Sequence, residues 1–190
     1  MTTFILDGIW GGHTRWEPLR VRLAREVGPT RIWPYDNSGR TSLTTLAARL
    51  VDELERCESG FHLVGYSMGG IVIREAIRQR ADLPVGRAAL LHSPHAGSWA
   101  AAAMPFVACQ EMRPGSRFLA RLNACDWTIP TFATWCPGDL MIIPGHSARW
   151  ERATILRECR LPAHAWPVFS RRLHREIAEF LRDGAAETGT

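Results

Sequence analysis

Apolar positions along this chain fall into two kinds of run that alternate. Short blocks at 3–7 (TFILD), 30–35 (TRIWPY), 61–66 (FHLVGY), 86–92 (GRAALLH) and 129–135 (IPTFATW) are rich in strand-forming residues and lie between glycine, proline and polar clusters. They read as buried strands. Pro34 puts the second at an edge or near its end, and a last strand is expected over 152–157. Between these blocks the apolar residues recur at helical spacing. Trp16, Leu19, Leu23 and Val27 mark a helix over about 15–26. Leu43, Leu46, Ala47, Leu50 and Leu54 mark one over about 43–57, and Val72, Ile73, Ala76 and Ile77 one over 68–80. Phe169, Leu173, Ile177, Phe180 and Leu181 form the inward stripe of a closing helix over about 167–182. Thr14 and Ser42 are the expected N-caps of the first two helices, and Gly28-Pro29 and Ser59-Gly60 their stops.

Short strands alternating with amphipathic helices predict an α/β fold: a three-layer α/β/α sandwich around a mostly parallel sheet of about six strands. Ligands in such sheets gather outside the carboxyl ends of the strands, so chemistry is sought there. Residues 98–124 are alanine-rich and read as one or two helices, either a small lid or an extension of the next helix. With 190 residues and no linker, repeat or low-complexity stretch, the chain is expected to form a single domain over 1–190.

Composition narrows the partners. The formal net charge is +4 and every basic residue under Lys+Arg is arginine. The arginines are scattered and share helical segments with glutamate, whereas a nucleic-acid face would cluster them. No leader with a long apolar core is visible, and no apolar run is long enough to span a membrane. Read as a whole gene product, the sequence is that of a soluble cytoplasmic protein. Cys57, Cys109, Cys125, Cys136 and Cys159 make an odd count without a CxxC pair and are expected to be reduced thiols. A Cys109–Cys125 bridge would need an oxidising compartment. No His/Cys spacing resembles a zinc site, so neither metal nor cofactor is expected.

The chemistry concentrates at "VGYSMGGIVI", residues 64–73. A serine stands between glycines where a strand becomes a helix. A very tight turn there forces its central residue into strained backbone. Gly65 and Gly69 relieve the crowding, and Gly70 lets the helix approach the sheet. Ser67 is thereby projected above the sheet at a helix N-terminus, where partial positive charge favours an oxyanion. A nucleophile of this kind needs a base to take its proton. His92, His95, His146, His164 and His174 all follow Ser67 in the chain.

Five stretches, in order, carry a resemblance to the α/β-hydrolase superfamily, especially its small lipase and esterase members. "FILDGIWGGHTRWEPL" resembles the family's first-strand loop and "LVGYSMGG" its nucleophile elbow. "LLHSPHAGS" is similar to the Pro-His-x-Gly-Ser segment of many lipases. "CPGDLMIIP" resembles the acid turn, and "LPAHAWPVFSRRLHREIAEFL" the histidine loop and closing helix. The resemblance implies a minimal form of that fold without a large cap domain. It implies a serine hydrolase that cleaves carboxylic esters through an acyl-serine intermediate, with a small acyl ester as partner. By the family order Ser, acid, His, it makes His164 the base and Asp139 the acid. Asp139 also follows a predicted strand through a Pro-Gly turn, whereas Asp126 precedes that strand. His174, within the last helix, is second choice as base, and His95 reads as structural.

The oxyanion would be held by the backbone N–H of Met68, the residue after the nucleophile, and by resemblance that of Ile9. Many family members carry His-Gly where this chain has Asp7-Gly8; Asp7 could brace the loop by accepting backbone N–H bonds. Trp10 and Trp166 flank the catalytic segments and are candidates for lining an acyl pocket, while Trp16, Trp99, Trp135 and Trp150 read mostly as core. A thioesterase or acyltransferase would use the same three side chains, and a non-catalytic binding protein could be built on the same scaffold. Oligomeric state is left open.

Overall fold

The computed structural model describes residues 1–161 and 163–187. Its centre is one six-stranded, all-parallel sheet in the order β2-β1-β3-β4-β5-β6. The strands are β1 (Thr2–Leu6), β2 (Thr30–Ile32), β3 (Phe61–Tyr66), β4 (Val85–Leu91), β5 (Thr131–Trp135) and β6 (Ile155–Glu158). The helices are α1 (Glu17–Glu26), α2 (Leu43–Leu54), α3 (Met68–Gln79), α4 (Trp99–Ala102), α5 (Val107–Glu111), α6 (Arg117–Asn123), α7 (Trp166–Phe169) and α8 (Arg171–Glu187). This is an α/β-hydrolase fold without a large cap domain.

Strand side chains alternate between two cores. Phe4, Leu6, Phe61, Leu63, Leu90 and Ala133 point to the face covered by α2 and α3. Ile5, Val64, Tyr66, Ala89, Leu91 and Phe132 point to the face covered by α1 and α8. The chain leaves β1 for β2 on one side and returns past β1 to β3 on the other, so the carboxyl ends of β1 and β3 flank a topological switch point. Leu6 and Tyr66 end there.

Several local expectations are corrected. Thr14 does not cap α1: a 3-10 turn spans His13–Trp16, and the cap position of α1 is Trp16, without a side-chain cap bond. Ser42 does cap α2, accepting from the Thr45 N–H at 3.1 Å. The 98–124 stretch is three short helices, α4–α6, because Pro105 and Pro114-Gly115 interrupt it. The closing helix breaks at Ser170, which leaves Phe169 75% exposed and outside the inward stripe; Leu173, Ile177, Phe180 and Leu181 are buried as expected. All five cysteines are free, so Cys109 and Cys125 are not bridged.

The glycines around residue 67 are fixed by contact. A Cβ on Gly65 would lie 2.6 Å from both Cα and N of Gly70, and one on Gly69 2.6 Å from the carbonyl oxygens of Leu6 and Asp7. These neighbours are backbone and cannot rotate away. Gly65→Ala should therefore push α3 off the sheet and cost about 2 kcal/mol. Thermal denaturation should show a midpoint about 4–8 °C lower; an unchanged midpoint would contradict the packing described.

Candidate active site

One residue makes the whole turn between β3 and α3. Ser67 sits at φ 52°, ψ −121°, a region that costs a non-glycine residue energy and is kept only where its surroundings enforce it. Enforcement comes from both sides: the Ser67 N–H donates to the Leu91 carbonyl at 2.8 Å, and the Gly70 N–H to the Ser67 carbonyl at 3.1 Å. The side chain therefore stands at the carboxyl end of β3.

Two loops meet it. His164 Nε2 lies 3.0 Å from Ser67 Oγ, and His164 Nδ1 lies 2.7 Å from Asp139 Oδ2. The other carboxylate oxygen of Asp139 accepts the N–H groups of Met141 (2.8 Å) and Ile142 (3.0 Å). Burial raises the Asp139 carboxyl. The hydrogen bond and charge of His164, with those two N–H groups, outweigh it and hold the carboxyl below its ordinary value. The side chain of Asp139 is fully buried, while that of His164 keeps 14% of its surface open. A carboxylate can only accept here, so His164 Nδ1 carries the proton and Nε2 faces the serine hydroxyl with a lone pair.

The first-strand loop completes the rim. A Cβ on Gly8 would sit 2.9 Å from Ser67 Cβ, so this loop crosses directly beside the serine. Ile9 follows it, and Met68 is the first residue of α3, whose N–H has no partner inside the helix. Asp7 braces the loop as anticipated, accepting the Gly8 N–H at 2.7 Å. It also takes the guanidinium of Arg15, with Nε 2.9 Å from Oδ2, a pairing the sequence reading missed. Asn37 donates to the carbonyls of Gly8 and Gly11, both at 2.9 Å, and the Tyr35 hydroxyl donates to the Asp7 carbonyl.

A cavity of about 110 Å³ opens over Ser67. Ile9, Trp10, Ala101, Met104, Met112 and Ile142 supply much of its apolar wall. Trp10 thus reaches the site, whereas Trp166 is not among the residues lining the cavity and packs instead against the α1–α8 core. A larger cleft of about 510 Å³ lies at the amino ends of β4 and β5, beside Arg74 and Asp126. It holds none of Ser67, His164 or Asp139 and so lacks the nucleophile–base geometry.

The remaining histidines stand elsewhere. His95 packs 4.5 Å from the Trp150 ring, with its Nδ1 3.3 Å from the Arg74 guanidinium. His174 Nε2 donates to the Pro167 carbonyl at 2.9 Å, and His146 is exposed. His92 is buried beside the site, its Nδ1 3.2 Å from the His164 carbonyl and 3.6 Å from Asp139 Oδ2. His92, Asp139 and His164 are the three ligand-type side chains found close together among the described residues. Their facing atoms are occupied by hydrogen bonds to one another and to the His164 carbonyl, so they form no open ligand set.

The chain belongs to the alpha/beta hydrolase family, whose family model matches residues 8–187. No curated protein sequence matches it. Among solved structures it resembles the mature lipase BlEst2 of Bacillus licheniformis, with 16% identity, a TM-score of 0.76, and 95% and 91% of the two chains covered. It resembles the monoacylglycerol lipase of Paleococcus ferrophilus with 15% identity, a TM-score of 0.76, and coverage of 96% and 94%. The phospholipase PlaB of Legionella pneumophila matches with 17% identity and a TM-score of 0.60 over 70% of this chain; that match spans only 37% of the length of PlaB. Among the described residues no helix is long and apolar enough to cross a membrane.

Proposed function

We propose that this protein hydrolyses carboxylic esters through an acyl-Ser67 intermediate. The observation that carries the reading is the line Ser67 Oγ–His164 Nε2–Asp139, at 3.0 and 2.7 Å, beneath an apolar cavity. Ser67 Oγ attacks the ester carbonyl carbon while its proton passes to His164 Nε2. The carbonyl oxygen becomes an oxyanion, held by the N–H groups of Met68 and Ile9, each worth about 3 kcal/mol of transition-state stabilisation. Asp139, ionised and buried, keeps His164 in the Nδ1–H tautomer and stabilises the imidazolium. The tetrahedral species then collapses. His164 gives its proton to the leaving alkoxide, and the acyl group remains on Ser67. Water, deprotonated by His164, repeats the addition, and the acid departs as Ser67 regains its proton.

The rim supports an apolar acyl group. Trp10, Trp99, Met104, Leu140, Met141 and Ile143 are all exposed large apolar side chains. Trp10, Met104 and Met141 line the cavity itself, and the Trp99 N–H donates to the Ile143 carbonyl at 2.8 Å. Among the described residues of the cavity wall the titratable side chains are His164 and Cys109, and burial pushes the Cys109 thiol up and keeps it neutral.

The test is a fluorophosphonate label followed by peptide mapping, alongside nitrophenyl esters and coenzyme A thioesters of matched chain length. The expected result is a stoichiometric adduct on Ser67 and faster turnover of the oxygen esters. No adduct would leave a binding protein on a hydrolase scaffold. Faster turnover of the thioesters would make the protein a thioesterase.

A further inference from the structure

We infer that His92 is a positioning residue for the proposed reaction: its imidazole N–H pins the backbone of His164 and lies against the carboxylate that orients that same ring. The inference rests on the reading of Ser67, His164 and Asp139 given above, and on observations around His92 that reading does not use.

His92 directly follows β4, fully buried, with φ 44°. A non-glycine residue is held there at a cost, although histidine, asparagine and aspartate tolerate it better than most. Its backbone N–H is shared between the carbonyl (3.0 Å) and the hydroxyl (3.1 Å) of Thr134 in β5, which fixes where the side chain starts. Its Nδ1 lies 3.2 Å from the His164 carbonyl. A carbonyl only accepts, so Nδ1 carries the hydrogen. The same carbonyl accepts the Tyr66 hydroxyl at 3.0 Å, so two side chains, one from the last residue of β3 and one just beyond the adjacent β4, grip one peptide group. That peptide sets where the imidazole of His164 stands relative to Ser67.

The second consequence is electrostatic. His92 Nδ1 is 3.6 Å from Asp139 Oδ2, the oxygen that His164 engages. Burial, with the charge of His164, lowers the His92 imidazole to about 4 despite the pull of Asp139, so it acts as a neutral donor. The Nε2 of His92 is then an acceptor, and it is buried with no hydrogen-bond partner among the described residues. Leaving a polar atom so placed is costly, and a purely space-filling side chain would avoid it. The groups that face this cluster are Asp139, His164 and Tyr66; behind the Tyr66 ring stands Arg15, 5.1 Å away and paired with Asp7. Burial pushes the Tyr66 phenol up, so it also stays a donor. The His92 dipole turns its positive end toward Asp139 and so partly offsets the carboxylate field felt by His164. Removing it should favour the imidazolium and move the acid limb of the pH–rate profile to higher pH.

Two variants separate position from bulk. His92→Gly removes the donor and suits the positive φ. His92→Asn suits the same φ and keeps an N–H within reach of the His164 carbonyl. In His92→Gly, kcat/KM on a nitrophenyl ester is expected to fall about tenfold, and the acid limb to move up by about half a pH unit. His92→Asn should stay within about threefold of the parent with the limb in place. In the Ser67→Ala background, 15N NMR of labelled histidines should find His164 in the Nδ1–H tautomer, and the same tautomer with a displaced Nδ1–H resonance once His92→Gly is added, because Asp139 still accepts that proton. A rate loss with an unmoved acid limb, equal losses in Gly and Asn, or an unmoved His164 Nδ1–H resonance in His92→Gly would each overturn the role of His92. The wrong tautomer in the Ser67→Ala protein itself would instead overturn the reading of Asp139 and His164, since that measurement needs no activity.

Discussion

Ser67→Ala should lower kcat on short-chain nitrophenyl esters by about five to six orders of magnitude. The size follows from what the hydroxyl does in the proposed sequence. Without Oγ no acyl-enzyme forms, and His164 loses the group 3.0 Å from its Nε2 that it would deprotonate. Residual turnover would come from water attack in a site that still holds the Met68 and Ile9 N–H groups, about 10³–10⁴-fold over the uncatalysed reaction. The fold should be untouched. Alanine inherits the φ of 52° and fills nearly the same space, and the hydrogen bond lost has a partner with part of its surface open to water. The thermal midpoint of the variant should therefore lie close to the parent value. KM, or the inhibition constant of an unreactive ester analogue, should change little, because the apolar wall of Ile9, Trp10 and Met104 is intact. Activity within tenfold of the parent, in protein free of parent contamination, would remove Ser67 from the chemistry. The turn from β3 to α3 would then be a structural feature only.

The parts of this site that stand out in the sequence do so because they are local. The turn at 65–70 announces itself through glycines whose Cβ positions are taken by Gly70, Leu6 and Asp7. Asp139 and His164 each lie in a loop beyond a strand of a parallel sheet, which is where such a sheet places its ligands. The central strands β1, β3, β4 and β5 are legible because their buried residues lie on both faces, as a covered parallel sheet requires, whereas the edge strands β2 and β6 expose Arg31, Arg157 and Glu158. What cannot be seen is set by main-chain geometry between distant segments. The double grip of Tyr66 and His92 on the His164 carbonyl spans 98 and 72 residues and has no spacing to betray it. The Arg15 partner of Asp7 looks in sequence like any arginine near a helix start. Trp166 was a fair candidate for the pocket because it sits two residues past His164. Its placement is set by tertiary packing, and the ring lies against the α1–α8 core. The break at Ser170 exposes Phe169, which periodicity alone places inward.

Asp139→Asn should cost about 10⁴-fold in kcat while leaving the fold in place. The amide oxygen can keep the N–H groups of Met141 and Ile142, which the Asp139 Oδ1 accepts at 2.8 and 3.0 Å. The amide nitrogen then faces His164 Nδ1, and two donors meet at a 2.7 Å separation. The imidazole escapes by moving its proton to Nε2, which turns the base into a donor toward Ser67 and leaves nothing to accept the serine proton. The pH dependence of stability carries the same signature with its sign fixed. The Asp139 carboxyl titrates below its ordinary 3.8 in the fold, because the His164 bond and the two N–H groups outweigh burial. It therefore contributes stability above about pH 3.8, and that contribution is lost as the pH falls through the lower folded value. The asparagine variant has no such group to lose. Between pH 6 and 3 the thermal midpoint of the parent should fall more steeply than that of Asp139→Asn, and the two curves should converge at the acid end. Parallel curves, with activity within tenfold of the parent, would show that another carboxylate orients His164.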